Sequence, residues 1–178
     1  MAKLRVDEYF DLPESLRPME LVYGVVREPP APRYGHQSVV TRLAALLHRH
    51  ACERALGEVC VSPVDVVLDR ESALVVQPDI VFVARQHLHR IKDQIWGPPD
   101  LVIEVLSQRT ALRDRTTRLG WYGRYGVAEC WLVDIERRCI DVVELTPQPL
   151  RQTRYSGNVP LRSAVLPDWN ASAADVLS

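Results

Sequence analysis

The chain has 178 residues, 47% of them hydrophobic, which is long enough for one globular domain with a sizeable core. Its formal net charge of −1 and pI of about 6.5 exclude a uniformly basic protein but leave room for a local basic groove. The four cysteines lack CxxC spacing, which argues against structural zinc. Because the sequence shows no signal peptide and no apolar run that could span a bilayer, we expect a reduced, cytoplasmic protein with no membrane partner.

The N-terminal third predicts an arm, a strand and a long helix. Residues 1–18 contain a short helical pattern broken by prolines, and we expect a loosely attached arm. Met19 to Glu28 alternates in polarity and predicts a strand with Glu20 at its start. Tyr34 to Leu56 predicts a helix, because its apolar residues recur every three or four positions. We assign no ligand role to His36 at the start of this helix, since a lone histidine there is more often structural.

Short apolar runs in the middle of the chain predict strands. Three of them, Glu58 to Leu68, Ala73 to Val76 and Asp79 to Val83, are bounded by turn residues. A fourth, Leu101 to Leu106, is short and rich in β-branched residues, as in a strand buried on both faces. It carries Glu104 in its middle, and burying that carboxylate requires a cation, hydrogen bonds, a metal ion or protonation to offset the cost.

Asp79 and Glu104 are the candidate metal ligands. If their two strands are neighbours in a sheet, both carboxylates could converge on one point. Carboxylate oxygens on rigid strands are typical ligands of Mg²⁺ and Mn²⁺. The alternatives at this point are a strand-start role for Asp79 and an ion pair with an arginine for Glu104.

Thr110 to Tyr125 predicts the helix after this strand, with Arg118 and Tyr122 spaced to share a face. The densest positive patch of the chain surrounds this helix, and such a patch could serve phosphate contacts. We therefore list four candidate nucleic-acid contacts: Arg113, Arg115, Arg118 and Tyr122. The alternatives are an ordinary solvated helix and, for Arg118, a pair with Asp114 one turn earlier.

The C-terminal part predicts strands and a short helix. Cys130 to Val133 and Cys139 to Leu145 flank a charged turn and predict a hairpin. Arg151 to Tyr155 predicts an edge strand, and Ala171 to Leu177 a terminal helix that covers the sheet. The order of elements predicts an α/β fold in which helices flank a mixed β-sheet. Residues 1–178 are expected to form a single domain, because no repeat, low-complexity tract or linker divides them.

Three segments in this order closely resemble the Uma family of restriction-endonuclease-like proteins, a branch of the PD-(D/E)XK nuclease superfamily. They are QPDIVFV at 77–83, PPDLVIEVLS at 98–107 and RDRTTRLGWYGRYGVAECWLVD at 113–134. MELVYGVV at 19–26 is similar to the strand-turn-strand opening of the family, and VLPDWNASAADVL at 165–177 is similar to its tail. The resemblance covers nearly the whole chain and implies a restriction-endonuclease-like core.

The resemblance also implies a metal-dependent phosphodiesterase centre with Mg²⁺ or Mn²⁺. Asp79 matches the aspartate of the PD element and Glu104 matches the (D/E), with the main-chain carbonyl of Val105 as a further ligand. Glu20 would approach the same centre. The lysine of the family matches Arg118, which is a departure from the pattern. Arginine can hold phosphate oxygens in a bidentate grip but cannot act as a base, because it stays charged at any ordinary pH.

Three functions follow from these observations. The first is an endonuclease that cleaves nucleic acid, DNA before RNA, with a homodimer as the simplest means of cutting both strands. The second is a nucleic-acid-binding or assembly protein that kept the fold after its catalytic lysine was replaced by Arg118. The third and weakest is a small-molecule phosphoesterase.

Overall fold

The computed structural model describes residues 3–13, 18–106, 112–146 and 149–178, without the side chains of residues 112–114. The helices are α1 (Val6–Phe10), α2 (Tyr34–Glu53), α3 (Leu112–Tyr125), α4 (Ala173–Leu177) and a 3₁₀ helix (Arg85–Arg90). The strands are β1 (Glu20–Val22), β2 (Val25–Arg27), β3 (Gly57–Val61), β4 (Val66–Asp69), β5 (Leu74–Val76), β6 (Ile80–Ala84), β7 (Ile95–Trp96), β8 (Leu101–Leu106), β9 (Glu129–Asp134), β10 (Cys139–Glu144) and β11 (Arg151–Ser156). Among the described residues, no helix is long and apolar enough to cross a membrane.

The strands form two mixed sheets, where the sequence predicted one. The larger sheet has the order β11-β10-β9-β8-β6-β3, and the smaller sheet has the order β2-β1-β5-β4-β7. β8 and β9 are parallel because α3 crosses between them, whereas β9 and β10 form the predicted antiparallel hairpin. The run Glu58 to Leu68, predicted as one strand broken at Pro63, gives two strands that lie in different sheets. The predicted α/β class with helices flanking a mixed sheet is confirmed.

Helices cover both faces of the larger sheet. On one face, α2 buries its predicted apolar stripe, which includes Leu43 and Leu47, against β6, β8 and β9. On the other face, α3 buries Trp121 and Tyr122 against the opposite side of the same strands. Gly126 follows α3 with a φ of +92°, a conformation that favours glycine at a helix end. The strands between the two helices are therefore apolar on both sides, which makes any carboxylate on them conspicuous.

The expected loose N-terminal arm is wrong for its described part, because α1 packs against the smaller sheet. Val6 and Tyr9 are buried in a cluster with Leu21, Val67 and Val75. The hydroxyl of Tyr9 donates to the main-chain oxygen of Met19, with 2.8 Å between the oxygens. Five helical residues give too short a pattern to show a buried face, so this packing does not follow from the sequence.

Val6→Ala should reduce the free energy of unfolding by about 1–3 kcal/mol, because the valine is 1% exposed and its truncation leaves a cavity. Urea unfolding followed by circular dichroism measures the change. Val159→Ala is the matched control, since that valine is 59% exposed and its loss should change stability by less than about 0.5 kcal/mol. Equal effects of the two substitutions would contradict the packing of α1.

Candidate active site

Asp79 and Glu104 lie side by side at one end of two neighbouring strands. β6 and β8 are antiparallel, with Ile80 opposite Ile103, so the residue before Ile80 lies beside the residue after Ile103. The main-chain N–H of Val105 donates to Oδ2 of Asp79, with 2.7 Å between N and Oδ2. The structure thus brings together the three residues that the sequence analysis named as metal ligands, Asp79, Glu104 and Val105.

Glu104 is an acid in a largely apolar setting. Its side chain is only 13% exposed, and the hydroxyl of Tyr122 donates to its Oε1 atom. Nε of Arg118 lies 3.2 Å from the same oxygen. Burial raises the pKa of Glu104 to about 7 against the opposing charge of Arg118, and the nearby carboxylate of Asp79 adds to the rise. With these neighbours, Glu104 therefore takes up and releases its proton near neutral pH.

Arg118 joins Glu104 to Glu20. Its NH2 and NH1 atoms donate to Oε1 of Glu20 at 2.8 Å and 3.0 Å, while its Nε faces Glu104. Burial alone would lower the pKa of the guanidinium, but the charge of Glu104, followed by Tyr122 and Glu20, raises it above its ordinary value. Arg118 lies one helical turn before Tyr122 on α3, so both side chains reach the same carboxylate. The predicted surface pair with Asp114 involves a side chain outside the described residues.

Glu20 is buried at the start of β1, where the sequence predicted it. The main-chain N–H of Gln77 donates to its Oε1 at 2.9 Å. The side chain of Gln77 in turn donates to Asp65, which also accepts a hydrogen bond from Tyr9 on α1. A chain of hydrogen bonds therefore ties the position of Glu20 to the packing of the N-terminal helix.

His36 is a member of the site that the sequence analysis did not assign. It lies in the first turn of α2, and its Nε2 atom is 3.2 Å from Oδ2 of Asp79. Its Nδ1 atom is buried and has no hydrogen-bond partner in the described part of the chain. Burial opposes the charged imidazole, but the hydrogen bond with Asp79 and its charge raise the pKa of His36. Nothing in the sequence reveals this contact, because it depends on how α2 packs on β6.

The oxygen donors at the site fit a hard divalent cation such as Mg²⁺ or Mn²⁺. Asp79 and Glu104 offer carboxylate oxygens and Val105 offers a main-chain carbonyl, which are the ligand types these ions prefer. Among the residues that the structure describes, no three His, Cys, Asp or Glu side chains are placed to hold an ion together. Instead, Arg118 lies against Glu104 and His36 against Asp79. The oxygen ligands are of the type that the ion prefers, but in the structure each carboxylate is paired with a side chain of the protein.

Apart from Arg118, described above, the candidate nucleic-acid contacts are Tyr122, Arg115 and Arg113, and each lies in a different setting. The prediction for Tyr122 is wrong, because its side chain is fully buried and donates to Glu104. Arg115 lies on the same side of the sheet and donates to Asp141 at 2.8 Å. The side chain of Arg113 lies outside the described residues.

Comparisons with known proteins agree with this fold. The Uma2 family model, described as "Putative restriction endonuclease", matches residues 6–174. A crystal structure of "a putative nuclease belonging to DUF820" from Anabaena variabilis ATCC 29413 matches with a TM-score of 0.82 and covers 98% of this chain and 97% of that chain. Its sequence identity is 16%, so this likeness concerns the fold alone. No curated protein matches the chain. Since the family model spans nearly every residue, the chain belongs to the Uma2 family, and both the predicted resemblance and the restriction-endonuclease-like fold are confirmed.

Proposed function

We propose that this protein is a Mg²⁺- or Mn²⁺-dependent endonuclease that hydrolyses phosphodiester bonds in nucleic acid. One observation carries the proposal: Asp79, directly before β6, lies beside Glu104 on the neighbouring strand β8, with the guanidinium of Arg118 against Glu104. Two carboxylates supply ligands for the ion, and a fixed cation supplies a partner for phosphate. Membership in the Uma2 family supports this choice of chemistry.

Each side chain has a role in the proposed reaction. Asp79 and Glu104 would hold the ion, which when bound would lower the pKa of the attacking water and polarise the scissile phosphate. Arg118 would stabilise the negative charge that develops on the phosphate oxygens. Glu20 fixes the orientation of that guanidinium, and Tyr122 fixes one oxygen of Glu104.

A non-catalytic nucleic-acid-binding protein is the second candidate, and the contacts of Arg118 favour it. The guanidinium bridges Glu20 and Glu104, and it cannot take a proton from water at ordinary pH. A site in which this bridge never opens would bind nucleic acid without cutting it. Cleavage assays with ligand variants separate the two functions.

We further propose DNA as the substrate, a homodimer as the active form and the cytoplasm as the location. Duplex cleavage by a symmetric dimer places one site on each strand. All four cysteines are free thiols, two of them exposed, which suits a reducing compartment.

Asp79→Asn and Glu104→Gln should each reduce cleavage by at least about 100-fold, because the amide keeps the shape of the side chain but removes its charge from the ion. Nicking of supercoiled plasmid, and cleavage of single-stranded DNA and RNA, are followed with Mg²⁺ or Mn²⁺. Glu58→Gln on the exposed edge strand β3 is the matched control and should cleave like the wild type. Unchanged cleavage in the two site variants would exclude this centre, and an inactive wild type that still binds nucleic acid would favour the second candidate.

Arg118→Met should reduce cleavage by at least about 100-fold, as expected when a group that stabilises transition-state charge is removed. Arg118→Lys should stay within about tenfold of the wild type, since lysine keeps the positive charge and also has a pKa that burial can lower. Single-turnover cleavage at saturating enzyme measures both variants. Wild-type rates in Arg118→Met would show that the guanidinium takes no part in the reaction.

Glu104 should make the metal-free protein less stable as pH rises. Its pKa is about 7 in the folded chain against an ordinary value of 4.5, so between these values only the folded state holds the proton. Stability contributed by this proton is present below the lower value and is lost as pH rises to about 7, which amounts to about 3 kcal/mol.

Urea unfolding in EDTA at a series of pH values tests this expectation with Glu104→Gln. The amide does not titrate. As pH rises from 4.5 to 8, the free energy of unfolding of the variant should therefore increase relative to that of the wild type by on the order of 3 kcal/mol. Stability curves that run parallel across this range would contradict the raised pKa of Glu104.

A further inference from the structure

A straight row of residues connects the candidate active site to the edge of the larger sheet. The strand register places Glu104 opposite Leu132, Leu132 opposite Asp141 and Asp141 opposite Arg154. Residues paired in this way point to the same face, which is the face covered by α3. With neighbouring strands about 4.8 Å apart, Arg154 lies about 14 Å from Glu104 across the sheet.

Asp141 in this row is held by two arginines. Nε and NH2 of Arg154 donate to its two oxygens at 2.7 Å and 2.8 Å, and NH2 of Arg115 donates at 2.8 Å. The side chain of Asp141 is 3% exposed, so both cations meet a nearly buried carboxylate. The hydrogen bond from Arg154 is the main reason that the pKa of Asp141 is lowered. Two guanidinium groups and one carboxylate leave one excess positive charge beside the site.

Arg154 presents this charge to solvent. Its side chain is 57% exposed, compared with 18% for Arg115. A guanidinium carries five N–H donors, and the bonds to Asp141 use two of them, so the same group can hold a phosphate at the same time. Gln152 and Ser156, which share this face of β11, are also exposed and polar. We call the exposed row Gln152, Arg154 and Ser156 the β11 shelf.

α3 links the β11 shelf to the active site. Arg118 contacts Glu104, and Arg115, one turn earlier on the helix, contacts Asp141. Both arginines line a cavity of about 40 Å³ next to Glu104. This volume holds only about one or two waters, so a nucleotide cannot enter it. A substrate strand therefore lies outside this cavity, and Arg154 of the β11 shelf is the exposed member of the row that begins at Glu104.

We propose that Arg154, oriented by Asp141 beside Arg115, is a phosphate-binding subsite for the substrate backbone, about 14 Å across the sheet from Glu104. The inference rests on the proposed function and extends it by naming how the substrate backbone is held. A bidentate guanidinium matches the geometry of a phosphate diester, and Asp141 keeps the fork in one orientation before the substrate arrives. A contact of this kind positions the strand without reading its sequence.

Binding of a fluorescein-labelled DNA duplex and of the matching single strand, measured by anisotropy in EDTA at several salt concentrations, tests the subsite without cleavage. Arg154→Ala and Arg154→Gln should weaken binding about tenfold, since a charge-assisted hydrogen bond is lost. They should also reduce the slope of log Kd against log salt by about 0.7–0.9, the value for one phosphate contact. Arg154→Lys should keep the slope and lose only part of the affinity.

Arg54→Ala is the matched control. Arg54 is 38% exposed and pairs with Glu53, and it follows α2 at the end far from the site. At 1.5 Å per residue, it lies about 27 Å along the helix axis from His36. Its loss should leave affinity and slope at wild-type values. Thermal melting should show all variants folded at the assay temperature, because Arg115 still pairs with Asp141 when Arg154 is replaced, and the Arg54 pair is exposed.

The outcomes separate this inference from the proposed function. If the wild type binds neither the duplex nor the single strand, the subsite fails, and the cleavage assay with Mg²⁺ or Mn²⁺ then decides the nuclease proposal separately. If the wild type binds and Arg154→Gln, folded, keeps its affinity and slope, the subsite alone is overturned and the arginines merely tie α3 to the sheet. A reduced slope in Arg154→Ala or Arg154→Gln, retained in Arg154→Lys and in the Arg54 control, supports the subsite.

Discussion

The candidate site depends on one guanidinium that joins three separately formed elements. Arg118 lies on α3, and it contacts Glu104 on β8 of the larger sheet and Glu20 on β1 of the smaller sheet. Removing one partner of a buried ion pair typically costs about 3–5 kcal/mol, because the remaining charge is left without compensation. The contact between the two sheets at this point and the geometry of the carboxylates are thus set by the same interaction.

Arg118 alone does not balance the negative charge of the carboxylates at the site. The carboxylates of Glu20 and Glu104 pair with its guanidinium, and the carboxylate of Asp79, which lies against His36, adds a third negative charge nearby. Two pKa shifts follow the same direction, since both Glu104 and His36 hold their protons to higher pH than usual. The site therefore attracts positive charge, and protons supply it in the metal-free state. A divalent cation bound by oxygen ligands is the group whose charge and chemistry match this deficit.

Sequence reasoning succeeded where a local pattern carries the information. The strands around Asp79 and Glu104 follow from short apolar runs, and the helix that carries Arg118 follows from its helical spacing. It failed where strand register or packing between distant segments decides which side chains meet. His36 meets Asp79 only because α2 packs beside β6, and Asp141 joins the row of Glu104 only through the pairing of three strands. The burial of Tyr122 has the same cause, since a tyrosine on a helix can face either the sheet or solvent.

Arginine at position 118 limits the chemistry available there, compared with the lysine that the resemblance to the family implies. A lysine is a compact charge whose pKa falls on burial, so it can exchange a proton during a reaction. Arginine never does so, but its planar fork spans two carboxylates at once, and Arg118 uses three of its nitrogens in this way. Arg118 therefore supplies a rigid electrostatic bridge between Glu20 and Glu104 and no proton transfer. If the chain cleaves nucleic acid, activation of the attacking water falls to the metal ion, and Arg118 contributes position and charge.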